Sequence, residues 1–488
     1  MDGQPDHMAL FSASAVSLLI KTCLENYVEY IPDLIVNSAK LSSDLFKTLL
    51  IFNELYYSRF QEHDLESFHG MFHLEMIQQN HLGKGIYDKF TALIKIGFIS
   101  KFLSEHDLVK DECQEFCRYY GINNPWLYGK FFLEVVGAPS KSDEFVKHVL
   151  DVNGIPKRLI SDFTLDKNEL KKKEGLSLNM DIVPKPFYLL GDEHPIILDY
   201  NYFQYAIEYG VFFSFYNQTS LRNGLKFKNY NAFKGFIGLN YFEKFFVSKY
   251  IHAIFSERNQ KVISEELYQD FIVRSSADNI FIFEVKMTDF NIKNVEALDF
   301  EAFKDFIDRN FLTTKSLSGK NKGSTQIVKQ MGHLLREDSP LVGKLGVKSA
   351  KRLNIYPVLI YSDNNLDMAG VNLYVNERFE QHVNGVKGGF QSVKPVLMMN
   401  VNVLVEYFCL FKSDTAVLTG LIGDYFKSIE SLKRKYNRNK EPDTYIRMNK
   451  SFATYLNSRV TKDQLGNNLS EMGKFFDLNT KGVFESAS

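Results

Sequence analysis

The chain has 488 residues, with 58 Lys and Arg against 59 Asp and Glu, so its formal net charge is −1. That length holds two or three domains with full cores, while the near-zero charge excludes a global field for nucleic acid and leaves such binding to local basic patches. Four cysteines make no disulfide framework in a chain of this size, no run of about 18 uninterrupted apolar residues is present to span a membrane, and no Lys or Arg precedes the first apolar stretch after MDGQPDH, so a cytoplasmic protein is expected.

Residues 1–180 read as a helical sensing, partner or oligomerisation domain. Apolar residues recur at helical spacing over Ala13–Tyr30, Asp44–Phe60 and Ile86–Leu103. His69 and His73 share a helix face near His63, His81, Asp64, Glu66 and Glu75, which resembles zinc-ligand spacing. Gly70 stands where the zincin pattern needs Glu, so a solvated polar face is the expectation. Cys113 and Cys117 have no further ligands nearby and are expected as thiols packed on one helix side. The charged run Asp166–Glu174 is the candidate linker.

From about Ile182 the texture changes. Short strands are expected around the turn Gly191–Pro195, then a helix from Asp199 through Phe215, a polar loop over 217–231, and an amphipathic helix over Gly235–Phe255 that carries Glu243. Next come two apolar runs, Phe271–Val273 and Ile280–Phe283, separated by the turn-forming Ser275–Asn279. This is a hairpin signature. Side chains alternate along a strand, so Ile280, Ile282, Glu284 and Lys286 share one face. A turn centred near Ser276-Ala277 sets Asp270 opposite Glu284. Two carboxylates side by side repel unless a cation lies between them. Asp278 lies about six residues from Glu284 along the strand, roughly 20 Å away, and is rejected as its partner.

A helical pattern follows over Val295–Phe311, then a basic segment, Lys315–Gly323, which lacks the P-loop order. Ser324-Thr325 can cap a helix carrying Gln326 and Gln330 one turn apart. Asn354–Tyr361 reads as a central strand, although Pro357 points to a bulge or an edge. Residues 393–401 add one more strand, and helix returns from Leu404. The basic run Ser431–Lys440 could touch a nucleic-acid backbone, although such runs are usually solvated faces. The last twenty residues read as weakly structured.

The order of helix Glu243, strand Asp270, strand Glu284-Val285-Lys286, helix Gln326/Gln330 and strand 354–361 resembles the PD-(D/E)XK nuclease superfamily, over roughly residues 186–405. The resemblance implies a restriction-endonuclease-like mixed sheet flanked by helices over 181–410; with the helical domain before it and a helical extension over 411–488, both read from the residues, the expected fold class is α/β. It implies Mg²⁺, with Mn²⁺ as substitute, held by Asp270, Glu284, the Val285 carbonyl and Glu243. Lys286 would be the catalytic lysine, and Gln326 and Gln330 would lie on the glutamine-bearing helix of the RecB-like branch. Gln269 replaces the motif proline, and Gln330 stands where that branch has tyrosine. The implied activity is metal-dependent hydrolysis of DNA, with RNA as the alternative substrate, in bacterial defence against phage. Lys315–Lys322 and Lys348–Arg352 would hold the phosphate backbone. Residues 1–180 would supply a homo-oligomer or defence-partner surface, and no membrane partner is expected. The rival reading is a non-catalytic nucleic-acid-binding or scaffold protein that retains the fold.

Overall fold

The computed structural model describes residues 13–26, 37–58, 66–82, 89–137, 155–166, 177, 181–182, 184–190, 194–198, 210–265, 270–312, 323–336, 338–461 and 469–478. All of the candidate linker but Asp166, most of Lys315–Gly323 and the start of the helix expected from Asp199 lie outside these residues. Contacts group the chain into two compact units. The first holds residues 1–63, 76–96 and 103–223, and the second holds 64–75, 97–102 and 224–488.

Every described helix or strand before Phe187 is a helix, including Ala13–Glu25, Ser38–Tyr57, Lys110–Tyr120 and Trp126–Gly137. Aromatic rings fill the core of the first unit: Phe116, Tyr120, Tyr128, Phe132 and Phe215 are all at most 1% exposed. Cys113 is buried and Cys117 half-buried on one side of their helix, as expected. The strands expected around Gly191–Pro195 are present as the antiparallel pair β1 (Phe187–Leu190) and β2 (His194–Ile197).

The second unit is built on a mixed six-stranded sheet. In chain order its strands are β3 (Lys261–Ile263), β4 (Phe271–Arg274), β5 (Asn279–Lys286), β6 (Asn354–Tyr361), β7 (Ser392-Val393) and β8 (Leu397–Asn400). β3, β4 and β5 are antiparallel neighbours, β5 and β6 run parallel, and β7 and β8 both pair in parallel with the far side of β6. Parallel strands covered on both faces become continuous apolar runs, and Ile280–Val285 and Ile355–Tyr361 are buried throughout.

Pro357 corrects the expectation of a bulge or edge. It lies inside the central strand β6, level with Ile282 of β5. The carbonyls of Leu353 and Ile355 accept from β7 and the residues flanking it, so the alternate position 357 faces that side too. There β7 pairs only with residues 354–355 and β8 only with 358–361. The missing N–H of proline therefore falls in the gap between two short strands and breaks no ladder bond.

The second correction is to the expectation of weak structure over the last twenty residues, which fails for 469–478, while 479–488 lie outside the described residues. Leu469–Phe475 is a helix, Met472, Phe476 and Leu478 are buried, and the Phe476 ring meets Phe98, Tyr250 and Phe408. Three large apolar groups in ten residues suffice to dock a short tail that has no helical period of its own.

His69 and His73 are the third. They are half-buried instead of solvated, with the His69 ring stacked on Phe300 at 4.4 Å and His73 Nε2 3.0 Å from His69 Nε2.

Candidate active site at the end of the central strand

The sequence of β5 ends its apolar run with Glu284-Val285-Lys286. Phe271 pairs with Phe283, so Asp270, one residue ahead of β4, stands level with Glu284. The register read from the turn is the register observed. Asp270 Oδ2 accepts the Val285 N–H at 2.5 Å. A residue's N–H and C=O leave a strand on the same side, so the Val285 carbonyl also faces Asp270, beyond the last residue of β4.

Glu243 arrives from the helix that precedes the sheet. Tyr230–Phe236 and Ser248–Ile254 are α-helical, and Ile237–Val247 between them is a π-helix packed against β5. A π turn changes which side chains face the neighbour and recurs at functional sites. Glu243 shares a hydrogen bond with Asp270. Lys286 Nζ forms an ion pair with Glu284 Oε1. The structure thus brings together Glu243, Asp270, Glu284, Val285 and Lys286. Glu284 lies at the bottom, 1% exposed, whereas Lys286, Asp270 and Glu243 are half-buried at the rim.

Packing three carboxyls together out of water favours their protonated forms. Burial first and Asp270 second push Glu243 and Glu284 up to about 8. Burial likewise raises Asp270. For Lys286, burial favours the neutral amine, but Glu284 and Asp270 outweigh it and hold its pKa above the usual lysine range. It is therefore an ammonium at neutral pH.

Among the described residues no three His, Cys, Asp or Glu side chains form a ready-made metal site. As it stands, Lys286 occupies Glu284, and Asp270 is engaged by Val285 and Glu243. The donor set nevertheless fits a hard divalent cation. It consists of three carboxyl groups and one carbonyl, all oxygen, and since burial pushes all three carboxyls up, a bound cation would compete with protons for them.

Gln326 is engaged elsewhere. Its Oε1 accepts the Gly323 N–H at 3.0 Å, the one half of a capping box that a glycine N-cap allows, at the start of helix Ser324–Leu335. Gln330, on the same helix, is fully buried, and its amide has no hydrogen-bond partner among the described residues. Gly323 has φ +56°, and a Cβ there would lie 2.2 Å from the Phe311 carbonyl oxygen. Gly323→Ala is expected to lower stability by about 1–3 kcal/mol, read as a shifted urea midpoint with an unchanged slope. A midpoint equal to wild type would show that this turn relaxes freely.

Sequence reasoning missed how the chain leaving Lys286 is fixed. Ser362 Oγ accepts the Thr288 N–H and donates to the Thr288 carbonyl, both at 3.1 Å, and Asp363 Oδ2 accepts the Phe290 N–H at 2.5 Å. No local pattern marks these contacts, because they join segments more than seventy residues apart.

The raised carboxyls fix a pH dependence. Glu284 keeps its proton in the fold up to about 8, while an ordinary glutamate gives it up near 4.5. The stability it contributes is therefore fully present below about 4.5 and lost as pH rises through about 8. In EDTA, Glu284→Gln is expected to match wild type near the lower limit and to exceed it by roughly 2–5 kcal/mol at the upper. Urea titrations at both pH values check this, and a pH-independent difference between the two proteins would contradict it.

No family model matches this chain, and neither a curated protein nor a solved structure gives a significant match. No helix among the described residues is long and apolar enough to cross a membrane.

Proposed function

We propose that the second unit is a restriction-endonuclease-like, metal-dependent nuclease that hydrolyses phosphodiester bonds of DNA, in a role such as bacterial defence against phage. The observation that supports this reading is the convergence of Asp270, Glu284, Glu243 and Lys286 at the open end of the central strand β5. A surface hairpin has no reason to bury paired acids at a cost in solvation.

Asp270, Glu284, Glu243 and the Val285 carbonyl would hold Mg²⁺ or Mn²⁺. The bound ion supplies charge neutralisation at the scissile phosphate and a water of lowered pKa. Lys286, fixed as an ammonium, donates hydrogen bonds and does not act as a base. It orients the attacking water and offsets the charge that builds on the phosphate oxygens. By leaving Glu284 for the phosphate, Lys286 would free that carboxyl for the cation, which would displace its proton.

The buried position of Glu284, held by Lys286, is the observation that favours the second reading, a non-catalytic nucleic-acid binder. The full-length protein incubated with supercoiled plasmid, linear DNA and RNA, in Mg²⁺, Mn²⁺ or EDTA, separates the two. Cutting that needs the metal and is lost in Glu284→Ala supports the nuclease. Binding without cutting in any divalent metal supports the binder. Equal cutting by wild type and variant identifies a contaminant and removes the enzyme reading.

A further inference from the structure

The C-terminal helices carry a charge excess that the site does not use. Residues 424–459 hold nine Lys and Arg against four Asp and Glu, in a chain whose net charge is −1. They form the helix Thr415–Asn439, a left-handed turn at Lys440, and the helix Pro442–Met448 folded back along it. Leu418, Ile422, Tyr425 and Phe426 bury the apolar side of the long helix. Lys433, Arg434, Lys435, Arg438, Arg447 and Lys450 are all exposed. Lys435 pairs with Glu441 at 2.9 Å and Arg434 loosely with Glu430 at 3.9 Å. No carboxylate among the described residues pairs with Lys433, Arg438, Arg447 or Lys450.

The two helices are held in register at two heights. The Tyr436 and Tyr445 rings meet at 5.2 Å, and Tyr425 Oη donates to the Lys450 carbonyl at 2.8 Å. Lys433 and Arg447 lie between those contacts, at matching height on adjacent helices. The pair is anchored to the end of the sheet at which the candidate site lies. Gly370 N–H donates to the Asn449 carbonyl at 3.0 Å, and Gly370 lies in the loop that leaves β6. In that loop Asp367 accepts from Tyr361 Oη at 2.8 Å. Tyr361 is the residue of β6 level with Lys286 of β5. The basic helices and the carboxylate cluster therefore belong to the same end of the sheet.

We infer that this helical hairpin is a nucleic-acid-binding surface, in which Lys433, Arg438, Arg447 and Lys450 contact the phosphate backbone of the strand presented to the site. This rests on the nuclease reading for the identity of the polymer. Lys433 and Arg447, uncommitted and at matching height on two packed helices, with Arg438 and Lys450 exposed one turn or so away, suit a periodic polyanion, with binding driven by counterion release. An anionic membrane is the poorer fit, because a membrane-surface helix needs a free apolar face, and here that face is in the core.

The test is binding of the full chain to a short labelled duplex in EDTA, across a salt series, for wild type and for the triple variant K433A/R438A/R447A. All three side chains are exposed, and an unchanged circular dichroism spectrum and melting midpoint confirm the fold. The variant is expected to bind at least about tenfold more weakly, and its plot of log affinity against log salt to be shallower by about 2–3. Equal affinity and slope in the two proteins would overturn the inference, as would wild-type binding to phosphatidylserine vesicles but not to DNA. If the variant loses binding while wild type cuts nothing in any metal, the surface stands and the nuclease reading fails. If wild type cuts and both proteins bind alike, the nuclease stands and the surface fails.

Discussion

Lys286→Ala is expected to retain its fold and to cut DNA about 10²- to 10⁴-fold more slowly than wild type, the range for losing one positioned proton-donating group. Two effects compete in this variant. Removing one partner of a buried ion pair can cost about 3–5 kcal/mol when the other charge stays behind. Glu284, however, is already pushed up to about 8 by burial and Asp270. Without the ammonium its pKa rises further, so at neutral pH it keeps its proton and leaves no bare charge. The unfolding midpoint should therefore move little while the rate falls steeply. Initial rates on plasmid at saturating Mg²⁺, with a urea melt of the same preparation, measure both. A variant that cuts like wild type would remove Lys286 from the chemistry. A variant that unfolds would show that the ammonium is structural.

The parts of the site that were legible are those fixed by local sequence. β4 and β5 are joined by a short turn, and because both faces of these strands are buried it is the turn length, not the alternation of side chains, that sets Phe271 level with Phe283. Asp270, Glu284 and Lys286 inherit their places from it. Glu243 was reached because apolar spacing marked its helix, but the π turn that presents it carries no signature in the spacing. Gln326 shows the opposite case. Its place on the helix followed from the capping signal, yet its amide is held by the N–H of Gly323, and that depends on a left-handed glycine fitted against Phe311. Pro357 misled because the rule against proline in a ladder is local, while the gap that admits it is made by two strands more than thirty residues later. The histidines misled for the same reason. Their aromatic environment comes from Phe300, far along the chain.

Asp363→Ala is expected to cost about 3–5 kcal/mol near pH 5, the largest stability effect in the second unit. Asp363 is 5% exposed and its two oxygens accept three hydrogen bonds, from the Phe290 N–H at 2.5 Å and from the Asn365 backbone and side-chain amides at 2.9 Å. Alanine leaves those donors buried without acceptors. The cost depends on pH in a definite direction. Burial, as the first cause, raises Asp363 to about 7 from an ordinary value of 3.8. Its contribution is therefore fully present below about 3.8 and lost as pH rises through about 7. The gap between wild type and variant should be widest toward 3.8 and should narrow as pH rises through about 7. Asp363→Asn recovers part of the gap, because one amide oxygen still accepts while its NH₂ faces a donor. The Phe290 anchor ties the segment after Lys286 to the end of β6, so cutting should fall along with stability in Asp363→Ala. A gap that widens with pH would mean that Asp363 is held as a carboxylate, stabilised by its three donors against the burial that opposes it.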